Sequence, residues 1–469
     1  MSFPVHPRTS LLGDPDLPVV STLLGSPAPA PIRAAVEATG GRVVAAELTQ
    51  VTWWPGSSIT TRHRLSIEGG TLAGRQSFVC VGGRIPKGAM IVEGEPGPVG
   101  VWRFPHDPAL PGLSPALDGG RAARLLADLG AADGPVTTSL LAYRPGRRAV
   151  VSVAGVRQGL HLKLVRPNKV GVLHEAHQHL SSTAPVPVSL GFDPERGLIA
   201  LQSLPGVTLR AAMEDDAEPI PSVAEIIGLV SSLPRPRDDR VSPSPIERVP
   251  ELGPLITAIA PDLAERVRRL VDAIGPEQVP ATVPVHGDYY ESQLLVGDGR
   301  LHGLLDVDTY GWGRPGDDAA TMLGHLSVWA GLSEYPNRVL DLGNRLLKAW
   351  DRILDPVDLR VRTSAVALSL AAGPFRVQSA GWPGETADRL AIAERWLQSA
   401  VLADEKSLTH VSDRSNPHIG VFWQSTPYKE VGSADKSTAR QAAQRLEGHN
   451  RRGYGVRPGP QRSRPRWTG

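Results

Sequence analysis

The sequence contains a single cysteine, Cys80, so no intrachain disulfide can form and a thiolate-rich metal site is excluded. Cys80 itself reads as a small apolar strand residue. Long apolar runs are missing too, and none approaches the length of a membrane-spanning helix. The N-terminal MSFPVHPRTSLLGDPDL lacks the charged-then-apolar order of a secretory signal. These absences point to a cytoplasmic protein with no membrane partner.

With 469 residues, 41% hydrophobic and 21% charged, the chain is long enough for two or three domains with a sizeable core. The net charge of +2 hides an asymmetry. Residues 406–469 carry 12 Lys and Arg against 4 Asp and Glu, which leaves residues 1–405 at −6. The body is mildly acidic and the tail basic.

Prolines at 4, 7, 15, 18, 27 and 29 make residues 1–30 an extended lead, followed by a brief helix from Pro31 to Thr39. Strand patterns begin at Ala46: AELTQVTWW, a Pro55-Gly56 turn, SITTRHRLSI, a Gly-rich turn and RQSFVCV. The same order returns from Leu140 as LLAY, a Pro145-Gly146 turn, RAVVSVAG and GLHLKLV. This is a two-copy repeat of a β-hairpin unit, with Lys163 in the second copy where the first has Val81. In the strand Leu160 to Leu164 the leucines alternate with His161 and Lys163. A helix follows from Val172 to Leu180 and carries Glu175, the natural ion-pair partner for Lys163.

The richest stretch is VPVHGDYYESQLLVGDGRLHGLLDVDTYGWGRPGDDAA, from Val283 to Ala320. Asp298-Gly299 between two apolar runs is a hairpin signal. Pairing through a two-residue loop puts Gln293 near the position opposite Leu304, at the open end of the ladder beside Asp306. A Gly-permitted bend at Gly287 presents Asp288 at that same end. Three oxygen-bearing side chains, Asp288, Gln293 and Asp306, converge. One carboxylate to orient a hydroxyl, and a carboxamide with a second carboxylate to hold Mg²⁺ against phosphates, are what phosphoryl transfer from a nucleotide requires.

His286-Gly287-Asp288, Gln293, Leu305-Asp306 and Asp318-Ala319-Ala320 resemble the HGD…N…D…D-L-A signature of the aminoglycoside phosphotransferase and choline kinase-like family. The resemblance implies Asp288 as catalytic base, Gln293 and Asp306 as magnesium ligands and Asp318 as a structural carboxylate. It also implies that Lys163 and Glu175 form the strand-lysine and helix-glutamate pair of a kinase-like small lobe. The turn Tyr143 to Arg148 would cover the phosphates with Arg147 and Arg148, and Ile199 to Leu209 would be the hinge along the adenine. Two positions depart from the family pattern. Gln293 stands where Asn is usual, which adds a methylene, and Arg314 stands where Asp is common. His286 is assigned a supporting role, bonding the backbone.

Helical periodicity dominates from Ile220, over Val223 to Leu233, Pro261 to Ile274, Asp317 to Leu332, Asn337 to Leu354, Val357 to Ala372 and Glu385 to Ala403. The expected architecture is an α+β, protein-kinase-like bilobal fold with an extra β-containing N-terminal segment. Its divisions are a lead over 1–30, a β-containing segment over 31–133, a small lobe over 134–210, a helical lobe over 211–405 and a basic, disordered tail over 406–469. The expected function is transfer of the γ-phosphate of ATP or GTP, with Mg²⁺, to a hydroxyl of a small molecule. A nucleotide-binding pseudokinase is the alternative. The basic tail supports at most nonspecific contact with nucleic acid. The acceptor and the oligomeric state are not legible, although an acidic body leans weakly toward a cationic acceptor.

Overall fold

The computed structural model describes residues 5–156 and 159–409. Its β-rich first half contains two five-stranded antiparallel sheets. The first is built from Arg42–Trp54 (β1), Ser58–Glu68 (β2), Gly74–Gly83 (β3), Met90–Val92 (β4) and Val99–Arg103 (β5), in the order β1-β2-β3-β5-β4. The second is built from Thr137–Arg144 (β6), Arg148–Ala154 (β7), Leu160–Val165 (β8), Ser189–Asp193 (β9) and Leu198–Gln202 (β10), in the order β6-β7-β8-β10-β9. The strand order is the same in both.

The likeness extends to single atoms. Each sheet opens on a tight turn whose glycine has a positive φ, 69° at Gly56 and 66° at Gly146, a conformation that suits glycine. Asp14 Oδ2 accepts the Gly56 N–H at 2.7 Å and the Trp53 indole N–H at 3.1 Å. Asp107 Oδ2 accepts the Gly146 N–H at 2.7 Å and the Tyr143 hydroxyl at 2.8 Å. The two aspartates open matching segments, Asp14-Pro15-Asp16-Leu17-Pro18 and Asp107-Pro108-Ala109-Leu110-Pro111. Register carries the correspondence to β3 and β8. Thr60, two residues past the start of β2, faces Val81, and Val150, two residues past the start of β7, faces Lys163.

The helix Gly119–Asp128 buries Ala122, Leu125 and Leu126 in one cluster with Leu160, Leu162 and Ala200 of the second sheet. The same cluster holds Val79, Val81 and Trp102 of the first sheet, and the Trp102 indole N–H donates to the Tyr143 hydroxyl at 3.2 Å. The N-terminal unit also reaches the helical half. Thr9 accepts the Trp382 indole N–H at 3.1 Å and donates to the Gln378 carboxamide oxygen at 3.3 Å.

The second half is helical, with Val223–Ser231, Val249–Ile259, Ala264–Ile274, Asp317–Ala330, Pro336–Trp350, Pro356–Ala371 and Trp382–Thr409 as its longer helices. Periodicity predicts all of these but Val249–Ile259, whose internal Pro254 reads as a breaker. The chain is thus an α+β, kinase-like bilobal protein, with a small lobe around the second sheet, a helical lobe after it and an additional sheet before it. No helix among the described residues is long and apolar enough to cross a membrane. The basic tail expected over 406–469 lies outside the described residues except where the last helix runs on to Thr409.

Two small ladders sit between the lobes. Val207–Thr208 (β11) pairs with Leu294–Gly297 (β13), which pairs with Arg300–Leu304 (β14). Val283–Val285 (β12) pairs with Gly311–Gly313 (β15).

Candidate active site

The β13–β14 hairpin turns on Asp298 and Gly299, with φ of 51° and 72°, the two positive angles that a type I′ turn requires. Its register differs by one residue from a plain ladder. A bulge between Leu295 and Val296 makes Leu294, not Gln293, face Leu304. The bulge passes over His302, whose Nε2 meets the Gly297 carbonyl at 3.1 Å. Gln293 still lies at the open end, where its carbonyl accepts the Leu305 N–H at 2.8 Å. Asp306 then takes a left-handed conformation, φ 60° and ψ 53°, which Asp tolerates better than most residues.

The turn holding Asp288 is fixed from below by Asp318. This carboxylate, in the first turn of Asp317–Ala330, accepts the His286 N–H at 2.7 Å and the Gly287 N–H at 2.8 Å. It therefore ties the turn to the helix; the helix N-cap is Gly316. Gly287 has φ 80°, and a Cβ there would come within 2.9 Å of the Thr309 carbonyl oxygen, so only glycine fits. The buried His286 ring faces the Leu305 carbonyl through Nε2 at 2.9 Å and accepts the Asp288 N–H on Nδ1 at 3.3 Å. A carbonyl can only accept, so Nε2 carries the proton and the ring bridges Asp288 to Leu305.

Across the cleft, Lys163 leaves β8 and is buried, with 5% of its surface exposed. Its ammonium donates to Asp306 Oδ1 at 2.7 Å and also bonds Asp308. Arg148 reaches the other Asp306 oxygen at 2.7 Å. Burial would lower the lysine pKa, but Asp306 and Asp308 outweigh it and the net shift is upward. Burial acts on Asp306 as well, and Arg148 and Lys163 more than compensate, holding it far below the usual carboxylate range. Asp288 moves the other way. Burial and the charge of Asp306 push it up to about 6.

Lys163, Arg148, Gln293 and Asp306 line one cavity of about 430 Å³, and Asp288 is close enough to Asp306 and Arg148 for their charges to act on it. Glu175 is not brought in. It is exposed on the outer face of the helix Pro167–Leu180, and Lys163 pairs with Asp306 and Asp308 instead. The expected Lys163–Glu175 pair is therefore corrected: the helix turns His177 inward and buries it. Arg147 is exposed, its backbone N–H closing the turn onto the Arg144 carbonyl at 3.0 Å. Arg314 turns away from the cleft, bonding Glu247, the Val279 carbonyl at 3.1 Å and the Ser242 carbonyl at 3.3 Å. Its charge is a structural one, distant from the question of metal binding. Asp308 was not singled out by sequence reasoning, although Asp306-Val307-Asp308 displays the spacing.

Residues 145–354 match the model of the phosphotransferase enzyme family. The matched stretch spans 210 of the 469 residues. It contains Asp288, Gln293, Asp306 and Lys163 and excludes the first sheet. A comparison with curated protein sequences gives no match. Among solved structures, this chain is similar to a thermostable mutant of aminoglycoside phosphotransferase APH(4)-Ia in complex with ADP and hygromycin B. That match has 15% identity, covers 59% of this chain and 97% of that one, and has a TM-score of 0.42. It is also similar to a choline/ethanolamine kinase family protein from Mesorhizobium loti, with 14% identity, coverage of 61% and 98%, and a TM-score of 0.40. A third is macrolide 2'-phosphotransferase MphH from Brachybacterium faecium, with 19% identity, coverage of 58% and 97%, and a TM-score of 0.38.

The candidate site holds hard oxygen donors. Among the described residues no group of three or more His, Cys, Asp and Glu forms a metal cage. Mg²⁺ needs none, since it is commonly held by one or two carboxylates together with substrate phosphates. Asp306, whose two oxygens already face two cations, fits that requirement.

Proposed function

We propose that the chain transfers the γ-phosphate of ATP or GTP to a hydroxyl of a small molecule. The observation that carries this reading is the ion pair of buried Lys163 with Asp306, close to a half-buried Asp288 whose carboxyl is pushed up by burial and by the charge of Asp306. Asp288 is the base that accepts the hydrogen bond, and then the proton, of the attacking hydroxyl. Lys163 orients the phosphates from the small lobe, and Arg148, on the opposite oxygen of Asp306, is a second cation beside them. Asp306 and Gln293 would hold Mg²⁺, which when bound offsets the charge of the β- and γ-phosphates. The His286 bridge and the Asp318 clamp keep Asp288 in place, so that no reorganisation is needed at the moment of transfer.

Turnover of ATP and of GTP by the full chain with Mg²⁺, measured against sugars, amino alcohols and aminoglycosides, tests this reading. Phosphoryl transfer that Asp288→Asn abolishes while nucleotide binding persists is the expected result. Nucleotide binding without transfer to any acceptor would favour the pseudokinase instead.

A further inference from the structure

The cleft beyond Asp288 collects positive charge that the catalytic groups leave unused. Arg144 at the end of β6, Arg148 at the start of β7 and Arg376 at the end of the short helix Gly373–Arg376 line the same cavity as Tyr290. Arg148 is engaged by Asp306. Arg144 and Arg376 have no carboxylate within ion-pair distance and no side-chain hydrogen bond among the described residues. Both are exposed to solvent at the cavity they line. Burial, with the charges of Arg144, Arg389 and Arg147, pushes Arg376 down to about 10. Burial and Arg148 likewise lower Arg144. Two guanidinium groups without ion-pair partners, lining one cavity, offer a bound anion charge-assisted hydrogen bonds.

Partners distinguish this group from the phosphate-facing one within the same cavity. Lys163 and Arg148 act at Asp306. Arg376 comes from the helical lobe and acts on Tyr290 and on His325, which stack at 4.0 Å. Tyr290 is two residues from Asp288, so Arg376 acts on the segment that carries the base. Arg144 lies between, acted on by Arg148, Tyr290, Asp306 and Asp288. The local field, not the mildly acidic body, is what an entering acceptor meets.

We propose that the acceptor is an anion: a hydroxylated small molecule whose carboxylate or phosphate is held by Arg376 and Arg144 while its hydroxyl faces Asp288. This rests on the phosphotransferase reading above. The acceptor oxygen forms its bond to the γ-phosphorus as the bond to the β–γ bridging oxygen breaks. The nucleoside diphosphate leaves, and the hydroxyl proton passes to Asp288.

The test uses the full chain with ATP and Mg²⁺ and matched acceptors: glucuronate and glucose 6-phosphate as anions, glucose as their neutral parent and glucosamine as a cation. Mass gain of one phosphoryl group is the readout. One of the anions is expected to exceed glucose by about 100-fold in kcat/KM, the advantage of a charge-assisted bidentate contact, and the better anion tells carboxylate from phosphate. Arg376→Gln should raise the KM for that anion by about 10-fold or more, with kcat and the KM for ATP nearly unchanged and Arg376→Lys recovering part of the loss. Arg144→Gln is the second variant, and melting curves check that both fold.

Preference for glucose or glucosamine overturns the proposal and leaves phosphotransfer standing, and so does an Arg376→Gln effect confined to the KM for ATP. If no acceptor is phosphorylated, calorimetry of both anions with a non-hydrolysable ATP analogue decides. Binding weakened by Arg376→Gln supports the anion site, and no anion binding overturns it. Failure to bind ATP would count instead against the phosphotransferase reading.

Discussion

Lys163 from the second sheet and Asp306 from the helical lobe meet at 2.7 Å, so ion pairing joins the two halves of the cleft before any nucleotide arrives. Lys163 is buried and Asp306 half-buried, and removing the lysine leaves Asp306 with Arg148 alone. Lys163→Met is therefore expected to cost about 100-fold or more in kcat/KM for ATP and to lower the melting temperature. Glu175→Gln, on the exposed face of its helix, should change both by little. Paired kinetics and melting curves check the contrast, and equal losses would reinstate Glu175 as the partner of Lys163.

Asp288→Asn keeps the shape of the turn and removes the proton acceptor. Loss of a positioned general base typically costs about 10²- to 10⁴-fold. Transfer should fall in that range while the affinity for ATP, measured by calorimetry, stays within about twofold, because the base meets the acceptor and not the phosphates.

Asp318→Ala strips two buried backbone N–H groups, those of His286 and Gly287, of their acceptor. Each unsatisfied group costs about 1–3 kcal/mol. The variant should melt well below the parent and lose activity even where it is still folded, since Asp288 is no longer held. Asp318→Asn keeps one acceptor oxygen and should fall between the two.

Glu277 supplies the pH dependence of stability. Burial raises its carboxyl, but the two bonds from Arg362 at 2.8 and 3.0 Å, the Ser244 hydroxyl and the Val279 N–H outweigh that and hold it at about 2. A carboxyl lowered by folding stabilises the protein above its ordinary value of 4.5 and loses that contribution as pH falls through about 2. Glu277→Gln should therefore melt below the parent at pH 7, with the gap narrowing between pH 4.5 and 2. A gap constant across that range would rule out the linkage.

Much of the site was readable because its parts lie close in sequence or in simple register. The Asp298-Gly299 turn, the glycine bend before Asp288 and the alternation around Lys163 are local signals. Where inference stopped, a contact between distant segments decides the matter. The bulge at His302 moved Gln293 by one place because the ladder is set by what packs on it. Glu175 was offered as the nearest acid in the chain, whereas Lys163 finds its partners in Asp306 and Asp308, brought from beyond the hairpin. Arg314 appeared as a wrong charge in a motif until Glu247 was seen beside it. Arg376 carries no sequence signal, since only the fold brings it to Arg144. Sequence reasoning missed the matched Asp14 and Asp107, although the paired DPxLP segments carry the signal, and their role as turn clamps depends on turns that lie far downstream.

Val81 stands in the first sheet where Lys163 stands in the second, and it is packed with Val151 and Leu162 of the neighbouring sheet. Of two sister scaffolds with one blueprint, only one kept the tool and the other became masonry. Its side chains answer to volume and fit, so natural variation there can drift among hydrocarbons of similar size, while the sister strand is bound to a single amine.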